Sequence, residues 1–350
     1  MDRARIYFIC LALAGAILFG ASAPLAKLLL ADTDPLVLSG LLYAGCGVGL
    51  LLLAPARPRL GLGGEARPAR GDLPWLAGSI AAGGIIAPLL LLIGLQSTPA
   101  ATASLLLNFE CVATTAIAAL AFREAVGRRV WLAVALITAA CALLTVSFTG
   151  GWGFSPGALA VVGACLFWGI DNNLTCYISS RDPVIIGTLK GLIAGAFSLG
   201  LALALGRSLP GPATVAAALL LGAVSYGLSI VLYILATRGL GAARTSAWFG
   251  TAPFAGTALS LGLFRAWPGL QFIVSLPVMA AGALLLFGEE HDHMHVHVPI
   301  EHEHYFREDA HHPFQGPGRH RHPEVRHSHP HSPDIHHRHG HEPDEPDQGR

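Results

Sequence analysis

Long apolar runs separated by short polar punctuation fill the first 288 residues of the chain, and hydrophilic sequence fills the rest. A helix needs about 20 mostly apolar residues to cross a bilayer. By that measure the pattern predicts ten spanning helices, at approximately residues 6–30, 36–54, 73–95, 100–122, 130–147, 157–179, 184–205, 214–235, 242–264 and 268–287. Most connections are short and hold helix breakers: Asp32 to Pro35, Thr98 with Pro99, Gly150 with Gly151, Asp182 with Pro183, and Pro210 to Pro212. The one long loop, residues 55–72, is rich in Pro, Gly and Arg. The first apolar run continues through Leu30 with no cleavage site before it, so it reads as a span and not as a signal peptide.

The pattern repeats. At an offset of 148 positions, Gly15 to Leu18 fall on Gly163 to Leu166, with Phe19 on Phe167 and Ala23 on Asp171. At 142 positions, Ser104 falls on Ser246, Thr115 on Thr257, Phe122 on Phe264 and Arg123 on Arg265. The first span is thus the counterpart of the sixth and the fourth of the ninth. Each unit holds five spans, an odd number, so the second copy runs inverted through the membrane, an arrangement that in transporters generates alternating access. The organisation expected is a first repeat at 1–150, a second at 151–288 and a tail at 289–350.

Composition sharpens the class. Residues are 53% hydrophobic and only 13% charged, with a mean hydropathy of +0.56, whereas soluble domains are about a quarter charged. The chain is read as an all-α membrane protein with a disordered tail. Its six cysteines lie in apolar segments without a CxxC and read as small buried hydrophobes. Phosphate-binding and nucleophile motifs are absent, which argues against an ATP-driven pump, an enzyme or a nucleic-acid partner. Arginines 3, 5, 57, 59, 67, 70, 123, 128, 129, 181 and 238 fall on one side, against Arg207 and Arg265 on the other. The positive-inside bias therefore predicts cytoplasmic termini, in a bacterial inner (plasma) membrane.

The openings of the first and sixth spans, GAILFGASAPLAK and GACLFWGIDNNLT, carry a family resemblance. So do the junctions GLQSTPAATASLLLNFE and ATRGLGAARTSAWFGTAPF, with Phe122, Arg123 and Glu124 closing the fourth span. In these the chain resembles the EamA-type transporters of the drug/metabolite transporter superfamily, over roughly residues 6–287. The resemblance implies two five-helix repeats and export or exchange of small metabolites. Two departures stand out: Pro253 has Cys111 opposite it, and Glu124 has Ala266.

Four charged side chains fall inside the spans more than two residues from an end: Lys27, Glu110, Asp171 and Lys190. Each needs a partner, a wet cavity or a route to the interface. Counted along their helices, Asp171 and Lys190 both lie roughly 10 Å into the membrane from the cytoplasmic side, close enough in depth to pair. Such a pair either locks two helices together or takes part in transport. Asn172 and Asn173 favour transport, because three adjacent polar residues span more of the helix than one ion pair can satisfy. Trp168, Asp171 and Thr175 share a face, and Ala23, Pro24 and Leu25 stand opposite the polar triplet in the first repeat. Glu110, near the middle of the fourth span, is either a proton-coupling carboxyl or else protonated or paired between helices, depending on whether its face or that of Ser104, Asn108, Cys111 and Thr115 lines the cavity. Lys27, near the outer end of the first span, snorkels to the interface or, as the resemblance implies, attracts an anion. Pro24, Pro88, Pro253 and Pro277 read as kinks.

All 17 histidines lie in the tail. His291, His293, His295, His297, His302, His304, His327, His329, His331, His336, His337, His339 and His341 form the alternating clusters, and imidazoles in that density bind divalent zinc, nickel, cobalt or copper. The reading is a secondary transporter of a small metabolite or drug-like solute, with no required cofactor and a metal-binding cytoplasmic tail. Its alternative is a divalent-metal (Ni, Co, Zn) transporter or a metal-responsive membrane protein. The spans, which lack histidine and hold scattered cysteines and two acids on different helices, favour the first.

Overall fold

The structure, a computed structural model, describes residues 3–60, 66–122, 126–147, 153–178, 181–240, 245, 248–265, 269–286 and four tail segments. Among the described residues, eight helices are long and apolar enough to cross a membrane: α1 (Ile6–Leu29), α2 (Pro35–Ala56), α3 (Arg70–Ser97), α4 (Ala100–Ala121), α5 (Arg128–Thr145), α6 (Pro156–Cys176), α7 (Pro183–Ala204) and α8 (Pro212–Thr237). Two shorter apolar helices follow, α9 (Ala252–Phe264) and α10 (Leu270–Leu286). Exposed leucines such as Leu52, Leu120, Leu270 and Leu284 sheathe the bundle, as a lipid-facing surface requires.

Starts are chemically marked. Asp34 accepts from Leu36 N at 2.9 Å, Asp182 from Val184 N at 2.9 Å and Ile185 N at 3.1 Å, and Ser155 from Ala158 N at 3.3 Å. Each cap is followed by a proline in the first turn, where the missing N–H costs nothing.

Packing between helices runs on small residues. The antiparallel α2 and α7 cross where Gly47 meets Gly191 and Leu192, Gly40 meets Leu199, and Gly195 meets Ala44, with no space for a Cβ at those glycines. Gly187, Gly191 and Gly195 recur every four residues and form one stripe. The other extensive pairings are α5 with α10, α3 with α6, α1 with α8, α2 with α8, α4 with α6, α4 with α9 and α1 with α9.

Several spans depart from the continuous helices expected. α4 breaks at Leu107 and Asn108, where the Asn108 amide donates to Leu105 O at 2.9 Å. α9 starts at Ala252 after a turn at Gly250 and Thr251, with Pro253 in its first turn, although the apolar run predicted a helix from 242. The two breaks lie 143 positions apart, one residue off the 142-position offset that aligns the spans. Only one of them has a proline; in the other an amide side chain competes for backbone groups. α3 and α8 each contain a wide π-helical segment, Ile80–Ile86 and Gly222–Leu228, at the 142-position offset itself. Val146–Ser147 pairs antiparallel with Gly153–Phe154 between α5 and α6.

In the tail, where no regular structure was expected, His291–His297 pairs with Val325–His331 and Ile300–Phe306 with Gly316–His322, both antiparallel. Every-second-residue histidine is itself a strand period. Arg123, Glu124, Ser246 and Ala266 lie outside the described residues, as do His336, His337, His339 and His341.

Candidate functional site

Asp171 and Lys190 form a salt bridge between α6 and α7, with side chains 6% and 18% exposed. The other carboxylate oxygen of Asp171 accepts from Ser79 of α3 at 2.5 Å and from Thr175 at 3.1 Å, and Ser79 and Thr175 hydroxyls lie 3.0 Å apart. The charge is thereby paired and both oxygens are satisfied, as burial demands.

The space for this cluster comes from α3. A Cβ on Gly83 would run into the Asp171 carboxylate, and one on Gly84 would sit 3.6 Å from the Lys190 stem and 3.7 Å from the Tyr43 ring. Gly83 thus makes room for Asp171, while Gly84 lets α7 approach, its Cβ position lying 2.9 Å from the Ala194 methyl. In the wide turn Ala87 N bonds Ala82 O, five residues back. The carbonyl of Gly83 would then look to residue 88, which is a proline without an N–H. Left over, it accepts from Trp168 Nε1 at 3.1 Å and from the Tyr43 hydroxyl at 2.5 Å. Trp168, Asp171 and Thr175 do share a face, and that face meets α3.

From Tyr43 an aromatic row continues into the second half. Tyr43 lies 5.7 Å from Tyr226, Tyr226 is 5.9 Å from Phe19, and Phe19 is 5.6 Å from Phe249. Charge and hydrogen-bonding groups stand at one end of this row and flat apolar rings at the other.

The remaining site residues are distributed elsewhere. Asn172 donates to Glu110 Oε1 at 2.9 Å and Thr114 Oγ1 at 3.1 Å, while Asn173 donates to Thr114 O at 3.0 Å and Gly169 O at 2.8 Å. Glu110 is therefore paired between α4 and α6, and the three polar neighbours divide between α3 with α7 and α4. Asn108 is buried at the α4 break. Lys27 does not join the cluster: its ammonium donates to Leu95 O at 2.6 Å and Thr98 O at 2.5 Å, tying α1 to the carboxyl end of α3. Leu95 lies roughly 18 Å of helix from Gly83. Among the described residues no group of three or more His, Cys, Asp or Glu is gathered to hold a metal. The side chains of the tail histidines lie outside the described residues.

Sequence reasoning missed Ser79, Tyr43 and Gly83. The signal was the Gly83–Gly84 pair four residues before Pro88, read only as a kink.

A helical bundle with lipid-compatible surfaces and its polar groups turned inward is an integral membrane protein. The EamA-like transporter family matches residues 6–146 and again 155–288, and the chain belongs to that family. An uncharacterized transporter of Methanothermobacter thermautotrophicus (strain ATCC 29096 / DSM 1053 / JCM 10044 / NBRC 100330 / Delta H) is 30% identical over 293 residues, 77% of this chain and 83% of its own. A solved crystal structure of 20% identity has a similar fold, with a TM-score of 0.58 over 79% of this chain and 95% of that one.

Proposed function

We propose that the chain is a secondary transporter that moves a small metabolite or drug-like solute by alternating access of two inverted five-helix repeats, by export or exchange, with both termini in the cytoplasm of a bacterial cell. The Asp171–Lys190 pair, buried against a glycine-lined wide turn of α3, carries this reading. It combines both charges with an adjoining aromatic row, so a solute can exchange its own polar group for one partner of the pair.

Symmetry supports the two-repeat mechanism. Exchanging α1–α5 for α6–α10 turns the α3–α6 pairing into α8–α1 and α4–α6 into α9–α1, while α2–α7, α4–α9 and α5–α10 map onto themselves. The wide turns and the helix breaks obey the same exchange. A bundle with that property has two equivalent packings of opposite access. The tail histidines are, in the same proposal, an accessory store for zinc, nickel, cobalt or copper.

The test is a thermal-shift screen of purified full-length protein and protein ending at Gly288, against metabolites and divalent metal salts. A body ligand stabilises both forms, by about 2.7 kcal/mol at a hundredfold excess over its Kd, and loses its effect in D171N. Stabilisation by metals alone, and only with the tail attached, would overturn the carrier reading in favour of a metal-responsive membrane protein.

A further inference from the structure

We propose that two loop ion pairs, Asp72–Arg181 and Asp34–Arg207, are latches for opposite faces of the molecule, engaged one at a time, and that Asp72–Arg181 is the latch closed in this conformation. The proposal rests on the alternating-access reading above.

Position carries the first part. Asp34 precedes α2 and Arg207 follows α7, whereas Arg181 precedes α7 and Asp72 lies at the start of α3. α2 and α7 are each 22 residues long, roughly 33 Å, and run antiparallel, so one latch sits at each end of the pair. Each joins the two halves of the chain. Exchanging the halves carries the contact between the α2–α3 and α6–α7 loops onto one between the α7–α8 and α1–α2 loops, where the other latch lies.

The two are not equally closed. Arg181 Nε meets Asp72 Oδ2 at 2.8 Å, with side chains 22% and 15% exposed, and Ala69 N donates to the same oxygen at 2.7 Å. Backbone stitches the loops together, through Asp182 N to Ala66 O at 2.9 Å and a parallel bridge between Ala66 and Arg181. Behind this, Trp75 lies flat on Tyr177, ring centroids 4.2 Å apart at 5°, and Phe122 leans on Tyr177 at 5.4 Å. These rings close the end of α6 that leads to Thr175 and Asp171. At the opposite end Arg207 reaches Asp34 only at 3.5 Å, with the arginine 57% exposed, and the other oxygen of Asp34 is held by the α2 cap. Partly exposed ion pairs are weak in water, which suits contacts broken in every cycle.

The experiment reads access directly and needs no substrate. In full-length protein with the exposed Cys10 and Cys176 and the half-exposed Cys111 replaced by serine, T175C reports the α2–α3 face, in membrane vesicles of both orientations with a membrane-impermeant maleimide. Expected are a several-fold rise in T175C labelling in D72N and in R181Q, no further rise in D72N/R181Q, renewed protection in the charge swap D72R/R181D, and a fall in R207Q. Equal T175C labelling in wild type, D72N and R181Q overturns the latch. A rise at T175C in R207Q as in D72N means general loosening and overturns it too. T175C left unlabelled in every variant contradicts alternating access itself. The charge swap guards against misfolding, since restored protection requires a folded protein.

Discussion

Asp171 draws on three helices with two oxygens: Ser79 from α3, Thr175 from its own α6, and Lys190 from α7. Removing one charge leaves the other unpaired in hydrocarbon, which costs about 3–5 kcal/mol for a buried pair, while replacing both is far milder. Denaturant or thermal unfolding in detergent should therefore find D171N and K190M each strongly destabilised and D171N/K190M close to wild type. The double variant also separates structure from function. If the pair only staples α6 to α7, the double variant still responds to a ligand of the body; if Asp171 binds the solute, it folds and no longer responds. The pair was legible in the sequence because a charge at membrane depth demands a partner, and counting residues placed both at one depth. Ser79, Tyr43 and the Gly83 carbonyl were not, because a hydroxyl or a peptide group inside a span carries no cost that marks it until the fold shows which carbonyl Pro88 has left over. The partners of Lys27 were not legible for a related reason, since carbonyls at a helix end are invisible to hydropathy.

Among the elements, α2 and α7 share the most extensive packing. A Cβ at Gly191 would lie 2.5 Å from Gly47 N and 2.8 Å from Tyr43 O, whereas Gly200 on the same helix has nothing within 4 Å. G191L must therefore push the helices apart, at a cost on the scale of core overpacking, about 1–3 kcal/mol or more, and G200L should leave the melting temperature unchanged. Comparable melting of the two variants would show that the glycine stripe is not what holds this pair. Span positions were legible at this scale because apolar length is set by bilayer thickness. Interruptions were not. The α4 break has no proline, and the wide turns of α3 and α8 involve residues as ordinary in a span as Ile80 to Ile86. Such features depend on what the neighbouring helix offers to the freed carbonyls.

At the scale of the whole molecule, the extensive helix pairings named above all join residues before 150 to residues after 151. A duplicated sequence suggests two modules side by side; the packing is instead interleaved, and the largest apolar cluster draws on both, with Leu38, Leu42 and Leu92 beside Val161, Phe272 and Met279. Most of the helix–helix surface available to either half is therefore on the other. Within a bilayer, helices already inserted are held by such side-to-side packing and not by further withdrawal from water, so a half without its partner keeps its spans but has little to fix their arrangement. Severing the α5–α6 connection leaves those contacts intact. Residues 1–150 and 151–350 expressed together as separate chains should assemble, a tag on the first recovering the second from detergent extract, whereas each expressed alone should aggregate or be degraded. Recovery of the first half alone as a monodisperse, cooperatively melting monomer would mean that contacts within a half suffice, and that the interleaved pairings are not what specifies the bundle.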